Sequence, residues 1–359
     1  MKNSFVDWEL AKRVAVRVAG REPYTLSFHR RGLVDDFTRF TSQAEELVGD
    51  CTGLRSQSGL ARSRLIGRSG WIDANIASFK RLLRPLTEKL SDRLDSPAAP
   101  VTRRLAGAEF GFVLGWMSTR VLGQYDLLVI EDEQPDEQDI VYYVAPNVLT
   151  MENRYAFDSS QFRLWLALHE VTHRAQFTGV SWLRAHFLSL VESVVEGLAP
   201  DPKRFSEALR RVVNARRRGE DPLASGGIAA LFATETQAEV LDQLYGLMAL
   251  LEGHGDVTMA RAGRGLLPGA DRFARVMRSR RRSVRGFVKL VQKLVGIDAK
   301  ISQYAAGENF IELVELTGGS ELLNRVWTAP EYLPNKSEIV DPQLWVNRVS
   351  SHGSVVASR

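Results

Sequence analysis

Apolar residues recur three and four positions apart along most of the chain, the spacing of one buried face of an α-helix. The pattern is clear over residues 37–47 and 76–90. The chain is therefore predicted to be mostly helical. Further helices are predicted over residues 181–197, 235–251 and 272–294.

Two other helices have recognisable ends. Residues 104–122 are apolar and carry glycines four positions apart, which predicts a closely packed core helix that Gly123 ends. The polar residues 158–160 offer N-cap side chains for a helix over 161–177, and Gly179 is a natural stop. Both helices are predicted to be buried.

Two short runs have the composition of β-strands. Residues 126–130 and 140–144 are rich in β-branched, aliphatic and aromatic side chains, and an acidic stretch separates them. They are predicted to pair as an antiparallel hairpin. The predicted fold class is therefore mainly α (α+β), with a small β-sheet or hairpin beside the helices.

The helix over 161–177 contains an H-E-x-x-H motif, formed by His169, Glu170 and His173. Residues i and i+4 of a helix point the same way, so both imidazoles can reach one ion. Glu170 lies one step round the helix, where its carboxylate can take a proton from water and pass it to a leaving group. Two imidazoles with one carboxylate suit Zn²⁺, which is the predicted cofactor.

A third ligand must come from elsewhere in the chain, since Gly179 stands where a third histidine of the metzincin pattern would be. Glu252 is the leading candidate. Asp256 shares its helical face and could accept a hydrogen bond from a ligand histidine. His254 is the alternative ligand or, if Glu252 binds, a cleft residue that donates a proton or stabilises an oxyanion. Other carboxylates that remain open are Glu192, Glu196, Glu235 and Glu239.

Composition and charge narrow the function classes. One cysteine, Cys51, excludes a disulfide framework and a cysteine-rich zinc finger, so metal ligands must be histidines and carboxylates. The chain has 47 Lys and Arg against 43 Asp and Glu, a net charge of +4. This weak excess favours a solvated helix face for the basic run 278–285 over a nucleic-acid contact.

No segment resembles an export signal or a membrane span. The N-terminal residues are polar, and the longest strongly apolar stretch, 244–251, has eight residues. A bilayer crossing requires roughly 20. We therefore expect a cytoplasmic protein without a membrane partner.

The motif residues and their surroundings resemble the bacterial zincin-like metallopeptidase type 2 family, whose members are labelled zinc-dependent hydrolases or metalloproteases. The resemblance is clearest from residue 100 to the end and weaker before it. It implies a zincin-type, mostly helical fold, with His169 and His173 as zinc ligands and Glu170 as catalytic base. The matching segments are residues 122–126, 144–147, 165–177, 250–254 and 327–345.

The family resemblance suggests how the chain is organised around the site. We expect one zincin-like domain over 1–359, in which residues 1–100 form a helical subdomain packed on a metallohydrolase core over 101–359. In zincins an edge strand pairs with extended substrate, and residues 140–144 are the candidate. Tyr143 and Asn147 are accordingly expected near the cleft.

The sequence therefore predicts a zinc metallopeptidase whose partner is a peptide or a small amide. A zinc hydrolase of a non-peptide amide is the first alternative, because the zinc chemistry is shared. The second is a non-catalytic helical binding or scaffold protein with a structural metal. A helical nucleic-acid-binding protein is the alternative without a metal.

Overall fold

A computed structural model describes residues 4–25, 30–84, 87, 99–127, 139–197, 235–283 and 302–356. The fold is mainly helical with a small sheet, which confirms the predicted class. The helices are α1 (Trp8–Ala19), α2 (Leu33–Thr52), α3 (Arg68–Leu82), α4 (Ala99–Ser118), α5 (Ala145–Tyr155), α6 (Ser159–Gly179), α7 (Leu183–Gly197), α8 (Glu235–Ala262), α9 (Ala270–Ser283), α10 (Ser302–Asn324), α11 (Lys336–Val340) and α12 (Pro342–Val356). The strands are β1 (Arg62–Ile66), β2 (Gly123–Tyr125) and β3 (Ile140–Val144).

The chain divides into two compact units. One consists of Met1–Gly179 and Thr258–Phe273, and the other of Val180–Val257 and Ala274–Arg359. None of the helices in the described ranges has an apolar stretch sufficient to span a lipid bilayer. The expected single domain, with a boundary near residue 100, stays a prediction.

The first unit contains a three-stranded sheet in the order β1-β3-β2. β3 pairs in parallel with β1 and antiparallel with β2, so the antiparallel partner of residues 140–144 is Gly123–Tyr125 and not the predicted run 126–130. The predicted position of the first strand, residues 126–130, was wrong. β2 begins at Gly123, and Asp126 and Leu127 follow the strand rather than forming it. Residues 128–130 lie outside the described ranges.

β3 is the central strand of the sheet, which corrects the expectation that it is an edge strand for substrate. Its two neighbours occupy both of its hydrogen-bonding edges, and all five of its residues are buried. A strand covered on both faces is continuously apolar rather than alternating, and Ile-Val-Tyr-Tyr-Val has that character. Tyr143 therefore lies in the core and does not face a cleft.

Helices α1 and α4 cross at very short distance, as the glycine spacing predicts. A Cβ added to Gly111 would collide with the carbonyl oxygen of Ala11, and one added to Gly115 would collide with that of Ala15. Both alanines are completely buried. Glycine on one helix and alanine on the other let the two backbones approach where larger side chains would separate them.

The second unit has a similar close crossing, between α8 and α10. A Cβ added to Gly253 would collide with the backbone of Gly307, and one added to Gly307 would collide with the carbonyl of Ala249. α8 continues to Ala262 and does not end at residue 251 as predicted. Gly253 is thus a packing glycine within the helix, and Glu252 projects from a helix interior.

Candidate metal centre

The motif helix α6 is capped and buried as its sequence predicts. The Asp158 carboxylate accepts a hydrogen bond from the backbone N–H of Gln161 at 2.9 Å, which caps the helix N-terminus. The helix ends at Gly179, where an added Cβ would lie 3.1 Å from the carbonyl oxygen of Arg55. Almost every residue from Phe162 to Phe177 is buried, so packing holds the motif rigidly.

A buried arginine anchors the same helix to the sheet. The Arg174 side chain is 1% exposed, and its guanidinium donates to both carboxylate oxygens of Asp139 at 3.0 and 2.6 Å, directly before β3. It also donates to Glu45 at 2.6 Å and to the carbonyl of Gly59 at 2.8 Å. Burial alone would lower the pKa of Arg174, but Asp139 and Glu45 outweigh it and raise the pKa. The arginine thus stays charged and ties α6 to α2 and to the start of β3.

The two motif histidines lie side by side on α6. Their ring centroids are 4.6 Å apart, and the ring planes meet at 84°. His173 Nδ1 lies 3.0 Å from Oε1 of Gln176, which is completely buried. If Nδ1 carries the proton and donates it to this oxygen, Nε2 is the nitrogen that can bind a metal.

Glu252 joins the two histidines. One ligand atom from each of His169, His173 and Glu252 lies within 4.8 Å of the other two, and all three residues are half-buried. The set fits zinc, which binds histidine nitrogens and carboxylate oxygens and, with three protein ligands, keeps a fourth position for water or substrate. Among the side chains that the structure describes, this is the group that could hold a metal.

Of the other candidate third ligands, those whose side chains the structure describes do not belong to this group. Glu192 and Glu239 are exposed. His254 is 7% exposed and packs edge-on against Trp327, with ring centroids 5.0 Å apart. The side chains of Glu196 and Glu235 lie outside the described residues. His254 as a cleft residue stays a prediction.

Glu170 is buried beside the histidines, at 6% exposure. Its side chain lies against the backbone of β2: a Cβ built on Gly123 would be 2.7 Å from both Cγ and Oε1 of Glu170. Burial raises the pKa of Tyr143 above the ordinary value of 10.0, and the charge of Glu170 raises it further. The structure therefore places a carboxylate in a confined position next to the candidate ligands.

Two further predicted residues have different surroundings. Asn147 is 2% exposed, accepts from Nε of Arg68 at 2.9 Å and donates to the carbonyls of Ser118 and Val121 at 2.7 Å. These bonds join α5 to α3 and to the segment before β2, which makes Asn147 a structural link. Asp256 is half-buried. Burial raises the pKa of Glu308, and the charge of Asp256 raises it further. The predicted bond of Asp256 to a ligand histidine stays a prediction.

Three residues around the motif were not singled out for the site from the sequence. Gln176 could have been found, because residues three apart on a helix are neighbours and His173 precedes it by three. Arg174 and Gly123 could not have been found from the sequence. The role of Arg174 depends on Asp139 and Glu45, and that of Gly123 on Glu170, all of which lie on other elements. Only the folded chain shows those contacts.

An H-E-x-x-H helix whose histidines meet a glutamate defines the class of zincin metalloenzymes. The sequence profile of one family, described as zincin-like metallopeptidase, matches residues 6–346. The chain belongs to the zincin-like metallopeptidase family. This membership indicates a zinc-dependent hydrolase.

The chain is also similar to a solved structure. A crystal structure from Chloroflexus aurantiacus, described as that of a candidate hydrolase with a novel fold, has 29% sequence identity and a TM-score of 0.72. The match covers 96% of this chain and 99% of the other. A comparison with curated proteins found no match.

Proposed function

We propose that the protein is a zinc metallopeptidase that hydrolyses an amide bond of a peptide. His169, His173 and Glu252 would hold the zinc ion, and Glu170 would act as general base. One observation carries this proposal: two imidazoles and a carboxylate offer ligand atoms within 4.8 Å of one another. The glutamate of the same motif lies beside them, buried but not part of the ligand group.

Zinc, when bound, supplies a Lewis acid that polarises a carbonyl and makes water a better nucleophile near neutral pH. The chain's own part is to hold that ion and to move one proton. Glu170 accepts the proton from the attacking water and delivers it to the amide nitrogen as the C–N bond breaks. A carboxylate confined against β2 needs little rearrangement for either transfer.

The number of protein ligands favours a catalytic metal site over a purely structural one. Structural zinc sites are closed by four protein ligands, whereas catalytic sites keep one position open. Among the described side chains, three residues form the group, and His254 is not one of them. A structural site also has no need of a buried base such as Glu170.

Replacement of Glu170 by Gln tests the proposal. The amide keeps the size of the side chain but cannot accept the proton, so zinc should remain bound while hydrolysis falls by about 100-fold or more. Zinc per chain is measured by elemental analysis, and cleavage is followed by mass spectrometry on a mixed peptide library. The library reports peptide hydrolysis, while non-peptide amides assayed in parallel distinguish the alternative substrate class.

Glu192→Gln on α7 is the matched control, because Glu192 is an exposed glutamate. It should keep both zinc and activity. Full activity in Glu170→Gln would refute the role of the base, and absence of zinc from the wild type would refute the metal site.

A further inference from the structure

We propose that Gly123 is a positioning residue for Glu170: the missing side chain of the strand leaves the space in which the base is held. The inference rests on the proposed function, since it assigns the strand a part in the same reaction. It concerns the orientation of one carboxylate and not the binding of zinc.

The steric argument is direct. A Cβ built on Gly123 would lie 2.7 Å from Cγ, 2.7 Å from Oε1 and 2.9 Å from Cδ of Glu170. Such separations are too short for carbon and oxygen atoms that are not bonded, so something must move. All three atoms belong to one flexible side chain. An alanine at position 123 would therefore displace the carboxylate rather than the backbone of α6.

The strand itself is held in place. On its other face the Oε1 atom of Gln124 accepts from Trp71 Nε1 at 2.6 Å and from Asn75 Nδ2 at 3.3 Å, both on α3. On the face toward α6, the Tyr125 ring stacks over Phe177 with centroids 6.4 Å apart. Hydrogen bonds to β3 complete the attachment. With β2 fixed on these sides, the added methyl group must be accommodated by Glu170.

The chain offers a matched control glycine in the same unit. A Cβ added to Gly70 on α3 would meet only the Ile66 side chain, at the ordinary contact distance of 3.4 Å. Gly70→Ala therefore introduces the same methyl group beside the same sheet without touching Glu170. It should leave zinc content and hydrolysis close to those of the wild type, and the melting temperature unchanged or slightly raised, because alanine favours a helix over glycine.

The test places Gly123→Ala in three backgrounds: wild type, Glu170→Gln and Glu170→Ala. Each full-length protein is measured for zinc per chain, melting temperature and cleavage of the peptide library. In the wild-type background we expect retained zinc and a loss of roughly 100-fold in kcat, the order expected for a catalytic group displaced by about 1 Å. KM should change little.

The melting temperatures separate positioning from a general need for glycine. Gly123→Ala should lower the Tm in the wild-type and Glu170→Gln backgrounds, where the side chain occupies the space. It should not lower the Tm in Glu170→Ala, where the colliding atoms are gone. Equal lowering in all three backgrounds, or full kcat in Gly123→Ala, would overturn the proposal.

Failure of the proposed function would be recognised separately. If the wild type cleaves neither peptides nor other amides, the proposed activity fails, while the three-background comparison of Tm still decides whether Gly123 holds Glu170. If zinc is lost in Gly123→Ala, the glycine acts on the metal site as a whole and the proposal is wrong.

Discussion

At the scale of single residues, buried polar contacts orient the groups of the candidate centre. Gln176 has no exposed surface, and its amide oxygen lies 3.0 Å from His173 Nδ1. A partner of this kind selects the tautomer and the ring angle of a ligand histidine. The metal affinity of the site should therefore depend on a residue that does not touch the ion.

Replacement of Gln176 by Leu should weaken zinc binding by about 10- to 100-fold, the range typical of outer partners of ligand histidines. The leucine fills the volume but cannot accept a hydrogen bond from Nδ1. The zinc dissociation constant is measured by competition with a chromophoric chelator, so that activity plays no part in the result.

Gln176→Glu is the matched control because it keeps an oxygen acceptor at the same length. It should bind zinc at least as tightly as the wild type. Unchanged zinc affinity in Gln176→Leu would mean that the contact does not orient His173.

The motif itself could be predicted at this scale because helix geometry alone brings His169 and His173 together. The third ligand could only be narrowed to several candidates. Glu252 and His254 are close in sequence and both are common zinc ligands, so their chemistry does not separate them. The structure brings Glu252 to the histidines and packs His254 on Trp327.

At the scale of elements, the side chain of Tyr143 links β3 to α2. The Tyr143 ring stacks on Phe37 with centroids 3.9 Å apart, and its hydroxyl is 2.9 Å from that of Thr41, one turn further along α2. Burial raises the pKa of Tyr143, and the charge of Glu170 adds to the effect. The folded protein therefore keeps this phenol protonated at alkaline pH.

Tyr143→Phe should change how stability depends on pH. Above the unfolded-state pKa of 10.0, the unfolded chain releases the proton that the folded chain retains, so the free energy of unfolding falls as pH rises. Tyr143→Phe has no phenol to ionise at this position, so its free energy of unfolding should fall less than that of the wild type as pH rises. At neutral pH the lost hydrogen bond to Thr41 should cost about 1 kcal/mol.

Urea unfolding at pH 8 and pH 10.5 measures both effects. The stability difference between wild type and variant should narrow at the higher pH. Tyr24→Phe, at an exposed tyrosine, should follow the wild type at both values. A constant difference for Tyr143→Phe would show that the phenol ionises as easily when folded as when unfolded.

Elements were predictable where their signals are local. The cap at Asp158, the stop at Gly179 and the glycine spacing of α4 all act through neighbouring residues. The strand β1 was missed because Arg62–Ile66 has neither the apolar alternation nor the composition of a typical strand. It forms because β3 offers it a parallel partner, which is a long-range cause.

At the scale of the whole molecule, the family match extends over residues 6–346 and includes most of both compact units. The lone Cys51 is exposed, and the candidate metal group consists of two histidines and a glutamate. The predicted C-terminal part of the basic helix, 284–294, lies outside the described residues. The boundary between the two units at residues 179 and 180 could not be predicted from composition, because both units are helical and mixed in charge.

The most direct test of the account is the zinc content of the wild type against Glu252→Ala. Glu239→Ala is the control, because Glu239 is an exposed glutamate on the same helix. Elemental analysis after incubation with zinc and removal of excess metal should give about one ion per chain in the wild type and the control, the stoichiometry of a three-ligand catalytic site. Glu252→Ala should lose most of it. Full zinc in Glu252→Ala, or none in the wild type, would contradict the proposed centre.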